Sequence, residues 1–292
     1  MAVVATGFFD GVHLGHRLVL DALQKEARRR GEEAVVLTFW PHPRLVLEPP
    51  SDFPGLLSTC AEREALLLAA GADRVETLPF TRDFAALSAR DYLASVVRDR
   101  FAASAVVLGY DNRLGADGLT AGALSPLAAE LGLDLVLCPP LAGGPVSSTR
   151  IRRAVAAGDM QQATALLGRP HTLAGIVVHG RKIGRTIGYP TANLRPDEPL
   201  QCIPGGGVYA VDVEVLNRRW KGMCNIGTRP TVGGTERTVE TYIFDFDADI
   251  YDAPLRLHFL QKVRDEHRFP SLDALRVQLT RDEAAIRAVF SR

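Results

Sequence analysis

The chain has 292 residues, 47% hydrophobic and 23% charged, an ordinary globular balance and enough for about two domains of ~100–200 residues each. Its 34 Lys and Arg against 34 Asp and Glu exclude a global basic field for nucleic acid and point to small-molecule substrates. Four widely spaced cysteines exclude a C-x-x-C zinc site or disulfide frame, no apolar run approaches a membrane span, and a strand follows Met1 directly, so a cytoplasmic protein without nucleic-acid or membrane partner is expected.

In chain order, Ala2–Thr6 is a short apolar, β-branched run that reads as a buried strand. It enters Gly7-Phe8-Phe9-Asp10-Gly11-Val12-His13-Leu14-Gly15-His16, after which Leu18, Leu20, Leu23 and Ala27 recur at helical spacing up to a C-cap at Gly31. The glycine-rich stretch is therefore a strand-to-helix turn whose histidines enter the helix. A helix N-terminus presents unpaired N–H groups and partial positive charge, so such a turn attracts phosphate. His13 and His16, three apart, share a face from which both can donate to phosphate oxygens, and Gly15 leaves room for a flat ring against the backbone. Taken singly, the histidines could be solvent-facing caps and Asp10 an N-cap. The whole string, in this context, resembles the signature of the nucleotidyltransferase superfamily.

Strand and helix then alternate. Ala34–Phe39 is a second buried strand, ending in the rigid turn Phe39-Trp40-Pro41-His42-Pro43. Thr59-x-x-Glu62 is a capping box for a helix ended by Gly71; a strand follows near 75–78, and Ser88-x-x-Asp91 opens a helix through Val97. The strand at 104–108 runs into Gly109-Tyr110-Asp111-Asn112-Arg113-Leu114-Gly115, and a helix near 121–131 and a strand at 133–138 complete the series. Parallel strands joined by right-handed crossovers, a doubly wound sheet, gather these loops on the ligand-binding edge. In Pro145–Arg152, Ser148 is a natural N-cap and Arg152 lies one turn later on the same face. Hydroxyls and charge there read either as a phosphate clamp or as a capped helix with a solvated basic face.

Residues 151–167 read as two short helices broken at Gly158, and Gly168-Arg169-Pro170 marks a boundary between domains 1–168 and 169–292. Beyond it, short alternating strands near 173–180, 207–215, 219–226, 239–246 and 255–262 imply antiparallel pairing in a small barrel. Ser271 and a capping box at Thr280-x-x-Glu283 start closing helices. Thr191 and Asn193, two apart in an extended segment, point the same way; a hydroxyl beside an amide oxygen suits Mg²⁺, although P-T-A-N is also an ordinary turn. Lys182 and the glycines near it read as a flap over phosphates. Alternation puts Glu240, Tyr242, Phe244 and Phe246 on one face, where the acid is either a solvent-facing charge or a general base beside an alcohol.

The two halves together resemble one family, the bacterial bifunctional riboflavin kinase/FAD synthetases (FMN adenylyltransferases). The resemblance covers essentially the whole chain. It rests on GFFDGVHLGH, FWPHP, GYDNRLG and SSTRIR in the first half, and on HGRKIGRTIGYPTANL, GVYAV, GMCNIGTRP, ETYIFDF and FPSLDAL in the second. It implies an N-terminal doubly wound nucleotidyltransferase domain that adenylylates FMN to FAD with release of pyrophosphate. It implies a C-terminal antiparallel β-barrel riboflavin kinase domain with a closing helix, with ATP as co-substrate and Mg²⁺ as cofactor. By the same resemblance His13, His16 and Arg152 act in adenylyl transfer, Ser148 and Thr149 complete the clamp, and Gly7, Phe9, Asp10, Gly15 and Asn112 surround nucleotide or flavin. Glu240 takes the proton of the ribityl 5′-hydroxyl, Thr191 and Asn193 hold Mg²⁺–ATP, and Lys182, Gly188 and Pro190 line the kinase site. The chain departs from the family at Phe8, where Asn is more usual, at Asp111–Leu114, which lacks an aromatic, and at Gly118–Gly122, which is less basic. A kinase with an impaired, regulatory first domain and a non-catalytic flavin sensor are the alternatives.

Overall fold

The structure, a computed structural model, describes residues 1–47, 53, 55–142, 144–180, 183–231 and 234–291. Its contacts divide the chain into a first unit, Met1–Phe53 with Cys60–Ser148, and a second, Pro54–Thr59 with Thr149–Arg292.

The first unit is a parallel sheet of β1 (Ala2–Thr6), β2 (Glu33–Trp40), β3 (Arg74–Pro79), β4 (Ala103–Gly109) and β5 (Asp134–Cys138), in the order β3-β2-β1-β4-β5. Its helices are α1 (Leu14–Arg30), α2 (Pro43–Leu47), α3 (Cys60–Ala69), α4 (Arg82–Ala85), α5 (Ala89–Asp91), which continues as a π-helix over Tyr92–Arg100, and α6 (Ala121–Glu130). Every residue of β1 is buried, which requires cover on both faces. One face packs Val3, Ala5 and Val36 under Leu20 and Leu23 of α1; the other packs Val4, Leu37 and Val106 under Leu93, Val97 and Leu124. The order reverses beside β1, so the turn after β1 and the loop after β4 flank one crevice at the strands' carboxyl ends. Asn112 Nδ2 accordingly reaches the Thr6 carbonyl at 3.5 Å.

The main segment of the second unit, from Thr149, opens within α7 (Ser148–Ala157) and continues through α8 (Met160–Leu167). A closed antiparallel barrel follows: β6 (His171–Val178), β7 (Ala192–Pro196), β8 (Gly207–Val215), β9 (Arg218–Thr231), β10 (Gly234–Ile243) and β11 (Pro254–Arg264), in the order β10-β7-β6-β11-β8-β9. The one-turn helix α9 (Ile183–Thr186) precedes β7, and α10 (Leu272–Phe290) ends the fold. Because α8 buries Met160, Ala163, Leu166 and Leu167 and packs on β6 and β11, the compact units part after Ser148, ahead of the composition change at Gly168–Pro170. Along β8, β9 and β10 one set of side chains (Tyr209, Cys224, Thr241) is fully buried, while the alternate set (Val208, Ala210, Met223) lies under Ile286 of α10.

Two local expectations are corrected. Thr280-x-x-Glu283 starts no helix: Ser271 caps a continuous α10, and the Thr280 hydroxyl donates to the Arg276 carbonyl at 3.1 Å, one turn back. The alternation from Glu240 ends at Ile243. Asp245 takes φ 55°, so Phe244 stays with the α10 core while Phe246 turns to meet the Trp220 ring at 5.1 Å.

Candidate functional site

The turn after β1 strains its backbone. Phe9 and Val12 have φ of 55° and 40°, a region that a β-branched valine rarely enters and that concentrates at functional turns. His13, and not Asp10, is the N-cap of α1: its Nδ1 accepts the His16 N–H at 3.3 Å, so a neutral His13 carries its proton on Nε2. The His13 and His16 rings stack at 3.5 Å and 17°. The room left by Gly15 is taken by the His13 ring, which a Cβ would meet at 3.2 Å. His16 is half-buried as a residue, but its Nδ1 is shut from solvent without a hydrogen-bond partner. Burial first, and His13 second, hold its pKa well below the usual imidazole range. A neutral imidazole at a helix N-terminus is suited to donate to a phosphate oxygen.

Around it, the Phe9 ring lies over Gly7, and Asp10 is buried, its carbonyl accepting from Ser148 Oγ at 3.1 Å. Ser148 is thus tied to the histidine turn. Thr149 and Arg152 fall in the second unit, where Thr149 is exposed and Arg152 is buried, donating from Nε to the Gly55 carbonyl at 2.7 Å.

Sequence reading passed over Arg63. It is fully buried on α3, with its guanidinium 4.1 Å over the Phe8 ring and Nη2 donating to the Phe39 carbonyl at 2.9 Å. Its Nε and Nη1 have no partner among the described residues, and burial lowers its pKa. Phe8 also meets the His42 ring at 4.3 Å, so the residue standing where Asn is more usual is packed between an imidazole and a cation. The available signal was helical: Arg63 and Leu67, four apart, are the two buried positions of α3.

In the barrel, strand register assembles the second group. Glu240 on β10 pairs with Asn193 on β7 and, on its other side, with Asn225 on β9. Directly opposed residues on antiparallel strands share a face, so the three side chains form one polar row. A cavity of about 320 Å³ opens on that face, lined by Thr191, Asn225, Glu240 and Arg264 together with apolar Tyr189, Met223, Leu275 and Leu279. A second cavity, of about 510 Å³, takes Ala192, Thr241 and Ile243 from the same strands, with Arg185, Pro190 and Phe246. Thr191 lines both. Arg264 is pinned by Asp282 of α10, which is buried and accepts from its Nε at 2.9 Å and its Nη2 at 2.8 Å.

Residues 1–150 match the family model described as FAD synthetase, and residues 167–290 match riboflavin kinase. Over 297 residues the chain is 38% identical to the bifunctional riboflavin kinase/FMN adenylyltransferase of Escherichia coli (strain K12), covering 99% of this chain and 92% of that one. The chain belongs to the bifunctional riboflavin kinase/FMN adenylyltransferase family. The Bacillus subtilis (strain 168) member is 32% identical over 295 residues, covering 99% of this chain and 93% of that protein. Among solved structures, a Streptococcus pneumoniae chain described as a macrolide-efflux protein is 37% identical, with a TM-score of 0.91 over 98% of this chain and 93% of that one.

As a member of this family the chain is an ATP-using enzyme that phosphorylates riboflavin to FMN with its C-terminal half and adenylylates FMN to FAD with its N-terminal half. The expected kinase residues Thr191, Asn193 and Glu240 come together; Pro190 lines the second cavity, and Gly188 is exposed with φ +86° just after α9. Lys182 lies outside the described residues. Asn225 and Arg264 line the 320 Å³ cavity beside Glu240 without having been singled out by sequence. No helix among the described residues is long and apolar enough to cross a membrane.

Proposed function

We propose that riboflavin occupies the cavity beneath α10 and ATP the adjoining one, with phosphoryl transfer at Thr191. The observation that carries this reading is that Thr191 lines both cavities while Glu240, in the flavin cavity, stands opposite Asn193. Glu240 accepts the proton of the ribityl 5′-hydroxyl as that oxygen attacks the γ-phosphorus and the bond to ADP breaks. The Thr191 hydroxyl and the Asn193 amide oxygen are hard neutral donors and fit Mg²⁺. When bound, the ion neutralises phosphate charge.

In the first unit, His13 and the neutral His16 donate to the ATP phosphates as an FMN phosphate oxygen attacks the α-phosphorus and pyrophosphate leaves. Gly7, Phe9, Asp10, Gly15 and Asn112 shape that pocket, with the Ser148 hydroxyl tied to its turn. The N-terminal sheet is the adenylyltransferase domain and the barrel the kinase domain, with residues 149–168, expected from composition in the first domain, grouped with the barrel. The enzyme works in the cytoplasm on small molecules, without nucleic-acid or membrane partners, in keeping with its balance of 34 basic and 34 acidic residues.

Steady-state kinetics of Thr191→Ala and Asn193→Ala test the kinase site. Both should raise the ATP and Mg²⁺ requirement of FMN formation roughly tenfold or more and spare FAD formation from supplied FMN. Unchanged ATP and Mg²⁺ dependence in both variants would remove these residues from the site.

A further inference from the structure

The polar row does not end at Glu240. Across four strands it runs Asn193, Glu240, Asn225, Val208, each residue directly opposite the next. One pleat further along the same face lies a wholly different row, Tyr242, Met223 and Ala210, again directly opposed. Residues two apart on a strand are about 6.6 Å apart, and an extended five-carbon chain of ~1.5 Å bonds spans about 6 Å. A flavin whose ring rests on the Tyr242–Met223 row therefore brings the far end of its ribityl tail to the Glu240–Asn225 row. Apolar ring over apolar row and polyol over polar row is the match that both registers provide.

Asn225 is placed to use it. It lines the cavity, is half-buried, and is neutral, with a carboxamide that both donates and accepts. No side-chain hydrogen bond of Asn225 is found among the described residues. The adjoining ladder position on the same strand face is Gly227, where a Cβ would come within 3.5 Å of Asn225 Nδ2 and 3.0 Å of Glu266 Oε1, so glycine keeps the space beside the amide open. A carboxylate already stands at Glu240 for the proton. What a secondary hydroxyl of a neutral polyol needs is a group that can give and take a hydrogen bond without adding charge.

We infer that Asn225 binds a ribityl secondary hydroxyl and thereby aligns the 5′-oxygen with Glu240, making it a substrate-positioning residue that selects for the polyol tail. This rests on the placement of riboflavin proposed above. It adds a recognition role to that placement: the kinase discriminates flavins by tail hydroxylation as well as by ring.

The test is kinetic and uses the full-length enzyme with MgATP, riboflavin, and the 3′-deoxy and 4′-deoxy analogues. Asn225→Ala should lose roughly tenfold in kcat/KM for riboflavin, the size of one hydrogen bond to an uncharged group. With one of the two analogues the variant should lose nothing further relative to wild type, since the same bond cannot be removed twice. Asn225→Ser should recover part of the loss, and an unchanged two-unit thermal unfolding profile reports that the barrel of the variant is folded. Wild-type-like kcat/KM in Asn225→Ala, or losses that add fully for both analogues, would overturn the inference. Glu240→Gln distinguishes the two levels: if it leaves FMN formation intact, the placement of riboflavin itself is wrong, whereas an inactive Glu240→Gln with an unaffected Asn225→Ala condemns only the role of Asn225.

Discussion

Glu240 stands directly opposite Asn193 in the ladder between β10 and β7, so an acid and an amide from segments nearly fifty positions apart present their side chains on one face. The closed barrel sets that juxtaposition, and Thr191, two residues before Asn193, connects it to both cavities.

Removal of the base while keeping its shape should stop one reaction only. Glu240→Gln is expected to lower kcat for FMN formation by about 10²–10⁴-fold, the usual worth of positioned acid–base catalysis. FAD formation from supplied FMN should stay at the wild-type rate, read by separating the flavins after incubation with MgATP.

The converse holds at the histidine turn. His16→Ala removes the imidazole that stacks on His13 at the start of α1. FAD formation should fall roughly 10²–10³-fold, as for loss of one preorganised donor, with riboflavin phosphorylation unchanged. Equal loss of both activities in folded protein would contradict the assignment.

Asp282 is buried against Arg264, and Arg264 lines the cavity beneath α10 proposed for riboflavin. Asp282→Ala strands a partly buried cation and should destabilise the second unit by about 3 kcal/mol or more, because breaking one partner of a buried pair leaves its charge uncompensated. The same variant should raise the KM for riboflavin, measured alongside urea unfolding.

His171 is buried at the start of β6, its Nε2 2.8 Å from the Cys202 carbonyl, and burial pushes its pKa down to about 4. The unfolded imidazole titrates near 6.5, so between those values the unfolded chain binds the extra proton. Stability from this group is present above about pH 6.5 and is lost as pH falls toward 4, up to about 3 kcal/mol. Denaturant melts of the wild type should show that acid loss, and His171→Gln should show a shallower one.

Much of this could be read from the chain because local chemistry and fold agree. The Gly7–His16 turn follows a β-branched strand and precedes a periodic helix, and the structure puts it at the switch point where such a turn meets ligand. Period two suggested the Thr191–Asn193 pair but left an ordinary turn equally open, and the family resemblance gave the pair its role. What escaped were relationships between distant segments. Asn225 looks like any strand residue until register pairs it with Glu240, and Arg63 looks like a surface helix charge until Phe8 and Phe39 close over it. The Thr280 box misled for a related reason: a Ser/Thr-x-x-Glu pattern caps only where the chain is not already helical, and the Leu275–Leu279–Ile286 stripe carries α10 straight through it.

The most direct measurement of the central claim, that two separate sites act on successive flavins, is complementation. Glu240→Gln and His16→Ala are incubated singly and as an equimolar mixture with riboflavin, ATP and Mg²⁺. The account expects each single variant to make FAD from riboflavin at about a hundredth of the wild-type rate or less, His16→Ala accumulating FMN, and the mixture to make FAD far faster than either alone. A near-wild-type rate of FAD formation in either single variant, or a folded mixture no faster than its components, would contradict it.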